Sequence, residues 1–192
     1  MALSHSNKLI AILLLLGLLQ GCAAVVVGAG VGAASVAHDR RTLGTQVDDK
    51  TTAGRVISNL KEDEELDKTA NINVHVYNGV LLLYGQAPNE ALKNRAHQAA
   101  AQVKNIKKIH NLIRIGEPIA TTTAANDLWL ASKVRAQLLA DERIDGLHIS
   151  VTVEDSEVFL MGLVNNQEAQ TAVDITRNIN GVARVVKAFE YL

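Results

Sequence analysis

Apolar residues along the chain follow an order that is written twice. A pair at helical spacing, Val56 and Leu60, returns as Val134 and Leu138, and the alternating stretch "INVHV" (72–76) returns as "ISVTV" (149–153). Spacing of three to four residues predicts a helix, whereas strict alternation predicts a half-buried strand. The repeat therefore indicates two copies of one structural unit.

Each copy is predicted to contain a helix, two strands, a second helix and a third strand. The first helix is predicted to begin at Asp48 or Asp49 in copy one and at Asn126 or Asp127 in copy two, because these side chains can accept from the free N–H groups of a first helical turn. The remaining segments are the turns "NG" (78–79) and "DS" (155–156), the second strands "VLLLYG" (80–85) and "VFLMG" (158–162), and the third strands 106–115 and 182–191.

The second helix of each copy is predicted to stop at Asn105 or Gly181, since both residues tolerate the left-handed conformation that ends helices. A strand, a helix and a strand in succession give a parallel crossover. The predicted fold class is α+β, with two tandem α-β-β-α-β modules, each a small three-stranded mixed sheet covered by two helices. We assign module one to residues 47–115, a linker to 116–123 and module two to 124–192.

The N-terminus has the pattern of an export signal. Lys8 precedes an apolar run, and "LLQGC" (18–22) resembles the lipobox of bacterial lipoproteins. The resemblance implies a signal peptide over 1–21, acylation of Cys22, including by palmitate, and a flexible tether over 22–46. Ala23 after the cysteine implies sorting to the outer membrane. A transmembrane helix over 9–37 is the alternative, although its glycines disfavour a helix.

Composition excludes several functions. The chain has 19 Lys and Arg against 20 Asp and Glu, and 3% aromatic residues, so nucleic-acid binding is not expected. Its histidines lack metal-ligand spacing, Cys22 is the only cysteine, and no P-loop, dinucleotide or GxSxG motif has its required context. His75 is expected to be a solvated strand residue. We therefore expect no enzyme activity, metal, cofactor or small-molecule substrate.

The stretch "NDLWLASKVRAQLL" (126–139) has apolar residues on two opposite faces of its predicted helix. Leu130, Val134 and Leu138 form the inward stripe. Five residues on or beside the outward face are the candidate lipid-binding site: Leu128, Trp129, Lys133, Arg135 and Leu139. The aligned outward residues of copy one are polar or small, namely Lys50, Thr51, Gly54, Ser58 and Lys61.

An apolar helix face edged by cations suits the interface of an anionic phospholipid membrane, where tryptophan lies at headgroup depth. Two alternatives remain open from the residues alone. Trp129 packs against module one or the linker, or the face binds a protein partner. The sequence fixes neither the orientation of the modules nor their strand order.

The repeat resembles the BON domain family over about residues 47–192. The resemblance depends on Val134 and Leu138, on "VFLMG", and on "GVARVV" (181–186), and copy one departs from it at Asn105, where glycine is expected. With a lipobox in front, it implies an outer-membrane lipoprotein facing the periplasm. The resemblance further implies binding of phosphatidylglycerol through the first helix of the second module and support of envelope integrity.

The same resemblance implies enrichment at the cell division site and a link to the outer-membrane assembly machinery. Its lipid contacts include Val134 and Leu138, which our helical wheel places inward and which we leave out of the site. The competing interpretation is a non-enzymatic periplasmic adaptor that binds an envelope protein through the same helix face.

Overall fold

A computed structural model describes residues 39–192 and contains two copies of one order of helices and strands. Copy one comprises α1 (Leu43–Glu62), α2 (Glu64–Thr69), β1 (Asn71–Tyr77), β2 (Val80–Ala87), α3 (Glu90–Ala101) and β3 (Lys108–Ile115). Copy two comprises α4 (Thr121–Ala140), β4 (Ile149–Glu154), β5 (Glu157–Val164), α5 (Asn166–Arg177) and β6 (Arg184–Tyr191). The predicted pair of modules is confirmed. The signal segment, Cys22 and residues up to 38 lie outside the described part.

Each module contains one three-stranded sheet with its second strand in the middle. The strand orders are β1-β2-β3 and β4-β5-β6. In both sheets the first two strands are antiparallel, and the second and third are parallel. The predicted mixed sheets with a parallel crossover are therefore confirmed, and β1 and β4 are edge strands.

The predicted starts of the first helices are wrong. Helix α1 begins at Leu43, and the Thr42 side chain accepts a hydrogen bond from the Thr45 backbone N–H. Helix α4 begins at Thr121, where no side-chain cap is present. Both helices are thus more than a turn longer at the N-terminus, and they begin in segments that the sequence assigned to the tether and the linker.

The aspartates expected to cap these helices instead bind the hairpin turns. Asp49 accepts from the backbone N–H groups of Asn78 (2.7 Å) and Gly79 (2.8 Å). Asp127 accepts from those of Asp155 (2.6 Å) and Ser156 (2.9 Å) in the same way. All four turn residues have positive φ angles, as a type I′ turn requires. Because β-turn N–H groups need acceptors, a buried carboxylate at this point fastens helix to hairpin.

The two second helices end before the predicted stops. Helix α3 ends at Ala101 and α5 at Arg177. Asn105 and Gly181 do have positive φ angles, but they lie in the loops that follow. The left-handed residues therefore redirect the chain into β3 and β6 and do not cap the helices.

Each sheet packs one face against its own helices. In module one the core is formed by Val56, Leu60, Leu66, Val76, Leu81, Leu83, Ala87, Leu92, Ala96, Ala100, Val103 and Ile113. In module two it is formed by Leu130, Val134, Leu138, Ile149, Val151, Val158, Leu160, Val164, Ala169, Ala172, Ile179 and Phe189. The inward stripe predicted for α4 is confirmed.

The opposite faces of the two sheets pack against each other. Tyr77, Val80, Leu82, Phe159, Met161 and Ala188 form a third buried cluster. The Tyr84 and Phe159 rings lie 5.7 Å apart between centroids. Because strand residues alternate between faces, Leu81 and Leu83 serve the module core while Val80 and Leu82 serve this contact. The layer order is helix, sheet, sheet, helix.

The segment before α1 also joins the two modules. The Arg40 guanidinium binds the Glu168 carboxylate at 2.8 and 2.6 Å and donates to the Leu163 carbonyl oxygen at 2.8 Å. These bonds hold the pKa of Glu168 down at about 2. Arg41 lies 3.7 Å from the Tyr77 ring centroid and binds Asp49. Arg40, which precedes module one in sequence, is thus attached to module two, and the neighbouring Arg41 is attached to module one.

Candidate functional site

The outward face of α4 is exposed where the sequence predicts it. Leu128, Trp129 and Leu139 are 69%, 64% and 56% exposed, and Ser132 and Ala136 between them are also exposed. At about 1.5 Å of rise per residue, the face from Leu128 to Leu139 is roughly 16 Å long. Leu130, Val134 and Leu138 on the other side are buried. The helix is therefore apolar on both faces, and only one face is covered by the described residues.

The two cations beside this face already have contacts. The Lys133 ammonium lies 5.1 Å from the Trp129 ring centroid and donates to the Asn180 carbonyl oxygen at 3.2 Å. The Arg135 guanidinium donates to the Val151 carbonyl oxygen at 2.7 Å. A guanidinium has five N–H donors, so this bond orients Arg135 and leaves others for an anion. Neither hydrogen bond could be predicted from the sequence, because the acceptors Asn180 and Val151 lie outside α4.

The interdomain alternative for Trp129 is wrong within residues 39–192. The modules meet through the sheet cluster around Leu82 and Phe159, and Trp129 lies on the outer helix layer. With almost two thirds of its surface exposed, the indole is not covered by module one or by the linker. Contact of Trp129 with a membrane or with a protein partner stays a prediction.

The contrast with copy one is less complete than the sequence suggests. The five aligned outward residues of copy one, of which Lys50 is the first and Lys61 the last, are exposed as expected. However, Leu43 and Val47 are 63% and 62% exposed on the same helix, and Ile57 is 41% exposed. The sequence missed Leu43 because it placed the start of the helix later. Helix α1 thus has scattered apolar residues, but no exposed aromatic ring.

His75 is half-buried, whereas a solvated strand residue was expected. It faces module two, and its Nε2 atom lies 2.9 Å from the Ser150 hydroxyl. Burial lowers the pKa of His75, with the charge of Arg41 acting in the same direction. A second polar pair lies between the sheets, where Gln86 donates to the Glu154 carboxylate at 2.8 Å. Burial raises the pKa of Glu154 and raises that of Tyr84 to about 12.

Comparison with known proteins identifies the repeated unit. The family model described as "BON domain" matches residues 48–117 and again 126–192. The chain belongs to the BON domain family.

Relatives of this BON protein include full-length matches. It is 37% identical to "Outer membrane lipoprotein DolP" of Haemophilus influenzae over 192 residues, which is 100% of both chains. It is 38% identical to the "21 kDa hemolysin" of Actinobacillus pleuropneumoniae over 154 residues, covering 80% of this chain and 79% of the relative. With "Osmotically-inducible protein Y" of Escherichia coli it shares 25% identity, covering 74% of this chain and 72% of the relative.

Among solved structures, the C-terminal domain of CdsD, a type III secretion protein of Chlamydia trachomatis, matches 72% of this chain and 96% of its own. The TM-score is 0.31 and the identity 14%. These values are too low to support a structural argument.

The two BON domains show no metal cluster within residues 39–192. No group of three or more His, Cys, Asp or Glu side chains in that range is placed to hold an ion. No helix of the described part is long and apolar enough to cross a membrane. A surface groove of about 630 Å³ is lined by a run of acidic residues near Asp63 with Arg95 bound among them. These pairings stabilise the end of α1, and they do not assemble an acid, base and nucleophile.

Proposed function

We propose that this BON protein is a lipid-anchored, non-enzymatic protein of the outer membrane that faces the periplasm. In this proposal residues 1–21 are removed, Cys22 is acylated, and residues 22–46 precede BON domains at 47–115 and 124–192. Support comes from the lipobox "LLQGC" and from a full-length relative whose name is outer membrane lipoprotein. Multiple acyl chains would hold the chain stably at a bilayer, because a single chain binds only marginally.

The exposed face of α4 is proposed to bind anionic phospholipid, phosphatidylglycerol in particular. The observation that supports this most directly is the joint exposure of Leu128, Trp129 and Leu139 on one side of a helix whose other side is fully packed. Burying a large apolar side chain contributes about 1.5–3 kcal/mol. Three such side chains at a bilayer interface, even partly immersed, would give useful affinity to a chain that is already held at the membrane.

The cations beside the face would supply the preference for anionic headgroups. Lys133 lies over the Trp129 ring, so both groups would reach headgroup depth together. Arg135 is held by the Val151 carbonyl with further N–H donors available. Each basic contact near an anionic surface contributes about 1 kcal/mol. We further propose that membrane binding supports envelope integrity and that the protein concentrates at the division site.

Trp129 is the only tryptophan of the chain and reports on its own environment. Residues 39–192 contain both hydrophobic cores and form one compact unit, which makes them a suitable soluble fragment. Titration with phosphatidylglycerol vesicles is expected to shift Trp129 emission to the blue. Vesicles of phosphatidylcholine alone should give a much smaller shift.

Matched glutamate substitutions test the face itself. Leu139→Glu keeps the reporter and should lower affinity for phosphatidylglycerol at least tenfold, whereas Val47→Glu, on an equally exposed residue of α1, should leave it unchanged. Trp129→Glu, followed by vesicle co-sedimentation, should abolish binding without unfolding the protein. Normal binding by Leu139→Glu would refute the assignment. If the wild type binds no vesicle at all, the adaptor function is favoured, with an envelope protein, such as the outer-membrane assembly machinery, on the same face.

A further inference from the structure

A groove of about 430 Å³ opens at the side of the molecule where the edge strands of the two sheets meet. Edge strand β1 contributes His75 and Tyr77, and edge strand β4 contributes Ser150 and Thr152. We call this feature the seam groove. Its volume lies within the range of roughly 300–1,000 Å³ that is usual for small-ligand pockets.

The seam groove exists because the contact between the sheets changes character across their width. Over the central strands it is filled by large apolar side chains such as Leu82 and Phe159. At the edge strands the same faces carry His75, Ser150 and Thr152, which are smaller or polar and do not fill the space. An open, hydroxyl-lined gap therefore remains beside a dry interface.

One cation of the groove, Arg135, has N–H donors left for a ligand. Arg41 is more than balanced, because it binds the carboxylates of Asp39, which also lines the groove, at 2.7 Å and of Asp49 at 2.9 Å. Arg135 reaches the groove from α4 and donates to the neutral carbonyl oxygen of Val151. An anion at the α4 side of the groove would thus meet a guanidinium to which no carboxylate of residues 39–192 is bound, and a guanidinium suits phosphate oxygens through paired N–H bonds.

The hydroxyl groups beside Arg135 can serve a polar ligand. Ser150 shares a hydrogen bond with His75, while the Thr152 hydroxyl makes no hydrogen bond to any other residue of 39–192. A half-buried hydroxyl that lacks a protein partner is ready to pair with water or with a ligand. Ser150 and Thr152 lie two residues apart on β4 and so project from the same face of the strand.

The groove also adjoins the proposed membrane face. At 100° per residue, Arg135 lies on the same flank of α4 as Leu128 and Leu139, about 20–40° away from them around the helix axis. Arg135 and Thr152 also line a neighbouring depression that includes Leu128. A lipid whose acyl chains lie along Leu128 and Leu139 would bring its headgroup to the mouth of the groove.

We propose that the seam groove binds the headgroup of an anionic lipid that carries hydroxyl groups beside its phosphate. Arg135 takes the phosphate, and Ser150 and Thr152 take the hydroxyls. This inference rests on the proposed membrane function and adds to it a site that both BON domains build. The first domain completes the walls of this site, because His75 and Tyr77 line the groove opposite Ser150 and Thr152.

The test compares two lipids of like charge sign. Vesicles contain phosphatidylcholine with equal fractions of either phosphatidylglycerol, which has a polyol headgroup, or phosphatidic acid, which has none. The wild-type fragment 39–192 is expected to bind the phosphatidylglycerol vesicles about fivefold more tightly. The double variant Ser150→Ala, Thr152→Val should lose that preference, because each neutral hydrogen bond typically contributes a few-fold in affinity. Thr51→Val with Ser58→Ala, which removes hydroxyls from α1, should keep it.

A double variant with the wild-type preference would overturn the groove as the headgroup site. If the wild type binds no anionic vesicle, the membrane function itself fails, and titration with glycerol 3-phosphate then decides the fate of the groove. Movement of the Ser150 and Thr152 amide resonances, absent in the double variant, would support a site for soluble polyol phosphates. Unmoved resonances would leave the groove without this function.

Discussion

Asp127 offers a sharp test of how each BON domain is held together. Its carboxylate accepts from two consecutive backbone N–H groups of the β4–β5 turn, at 2.6 and 2.9 Å, and the residue is 5% exposed. Hydrogen bonds to charged groups contribute about 1.5–3 kcal/mol each, so the pair sets an upper limit of about 6 kcal/mol. Water can reach a surface turn after the carboxylate is removed, so we expect Asp127→Ala to cost about 3 kcal/mol.

The expected loss can be measured by urea or thermal unfolding followed by circular dichroism. For about 150 residues, 3 kcal/mol lowers the Tm by roughly 6–12 °C. Asp127→Asn keeps one acceptor oxygen and should fall between the wild type and Asp127→Ala. Asn126→Ala, which removes the exposed neighbour, should change the Tm little. A loss below about 1 kcal/mol for Asp127→Ala would refute the idea that this carboxylate fastens helix to hairpin.

The remaining predictions concern the contact between the domains. Glu154→Gln should raise the Tm at pH 7 but not at pH 4, because burial raises the pKa of the folded carboxyl. Between the unfolded pKa of about 4.3 and the higher folded pKa, unfolding releases a proton, so the stability of the wild type falls as the pH rises through that range. Equal gains at both pH values would contradict this account. Phe159→Ala, at 2% exposure in the cluster between the sheets, should cost about 3–5 kcal/mol and give two separate unfolding transitions in place of one. A single transition at the wild-type temperature would show that the cluster does not couple the domains.

The periodicity of the sequence predicts the elements well because local packing determines it. Val134 and Leu138 occur at helical spacing and are buried in the core, and the alternation of "ISVTV" matches β4. The positive φ angles at Asn78 and Gly79 follow from residue types that tolerate them. Residues that the two copies share at aligned positions report on the fold, and residues that differ between the copies report on a specific surface.

The misplaced helix starts have a physical reason. Asp49 and Asp127 have the residue type of a helix cap, and capping and turn-binding use the same carboxylate oxygens. Which N–H groups meet them depends on a hairpin some 30 residues away in sequence. The useful signal was the recurrence of an aspartate at the same place in both copies, which helix capping alone does not require.

The contact between the domains is also visible in the sequence of β2, which does not alternate between apolar and polar residues. The run "VLLLY" in β2 is apolar at every position, and continuous apolar strands are typical of sheets buried on both faces. One face serves the helices and the other serves the second sheet. The partners of Lys133, Arg135 and His75 could not be read this way, because Asn180, Val151 and Ser150 approach them only after folding. The outward orientation on α4 is observed, and lipid contact by these residues stays a prediction.

The bonds of Arg40 to Glu168 and Leu163 give the molecule a further fastening across the domains, beside the contacts between the sheets. A protease cut in the loop between β3 and α4 would leave two pieces joined by the apolar cluster, by the polar pairs between the sheets and by this arginine. The nicked protein should therefore travel as one particle until a denaturant separates it. A force applied to the N-terminal segment would likewise act first on the second domain, although the first domain follows that segment directly in the sequence.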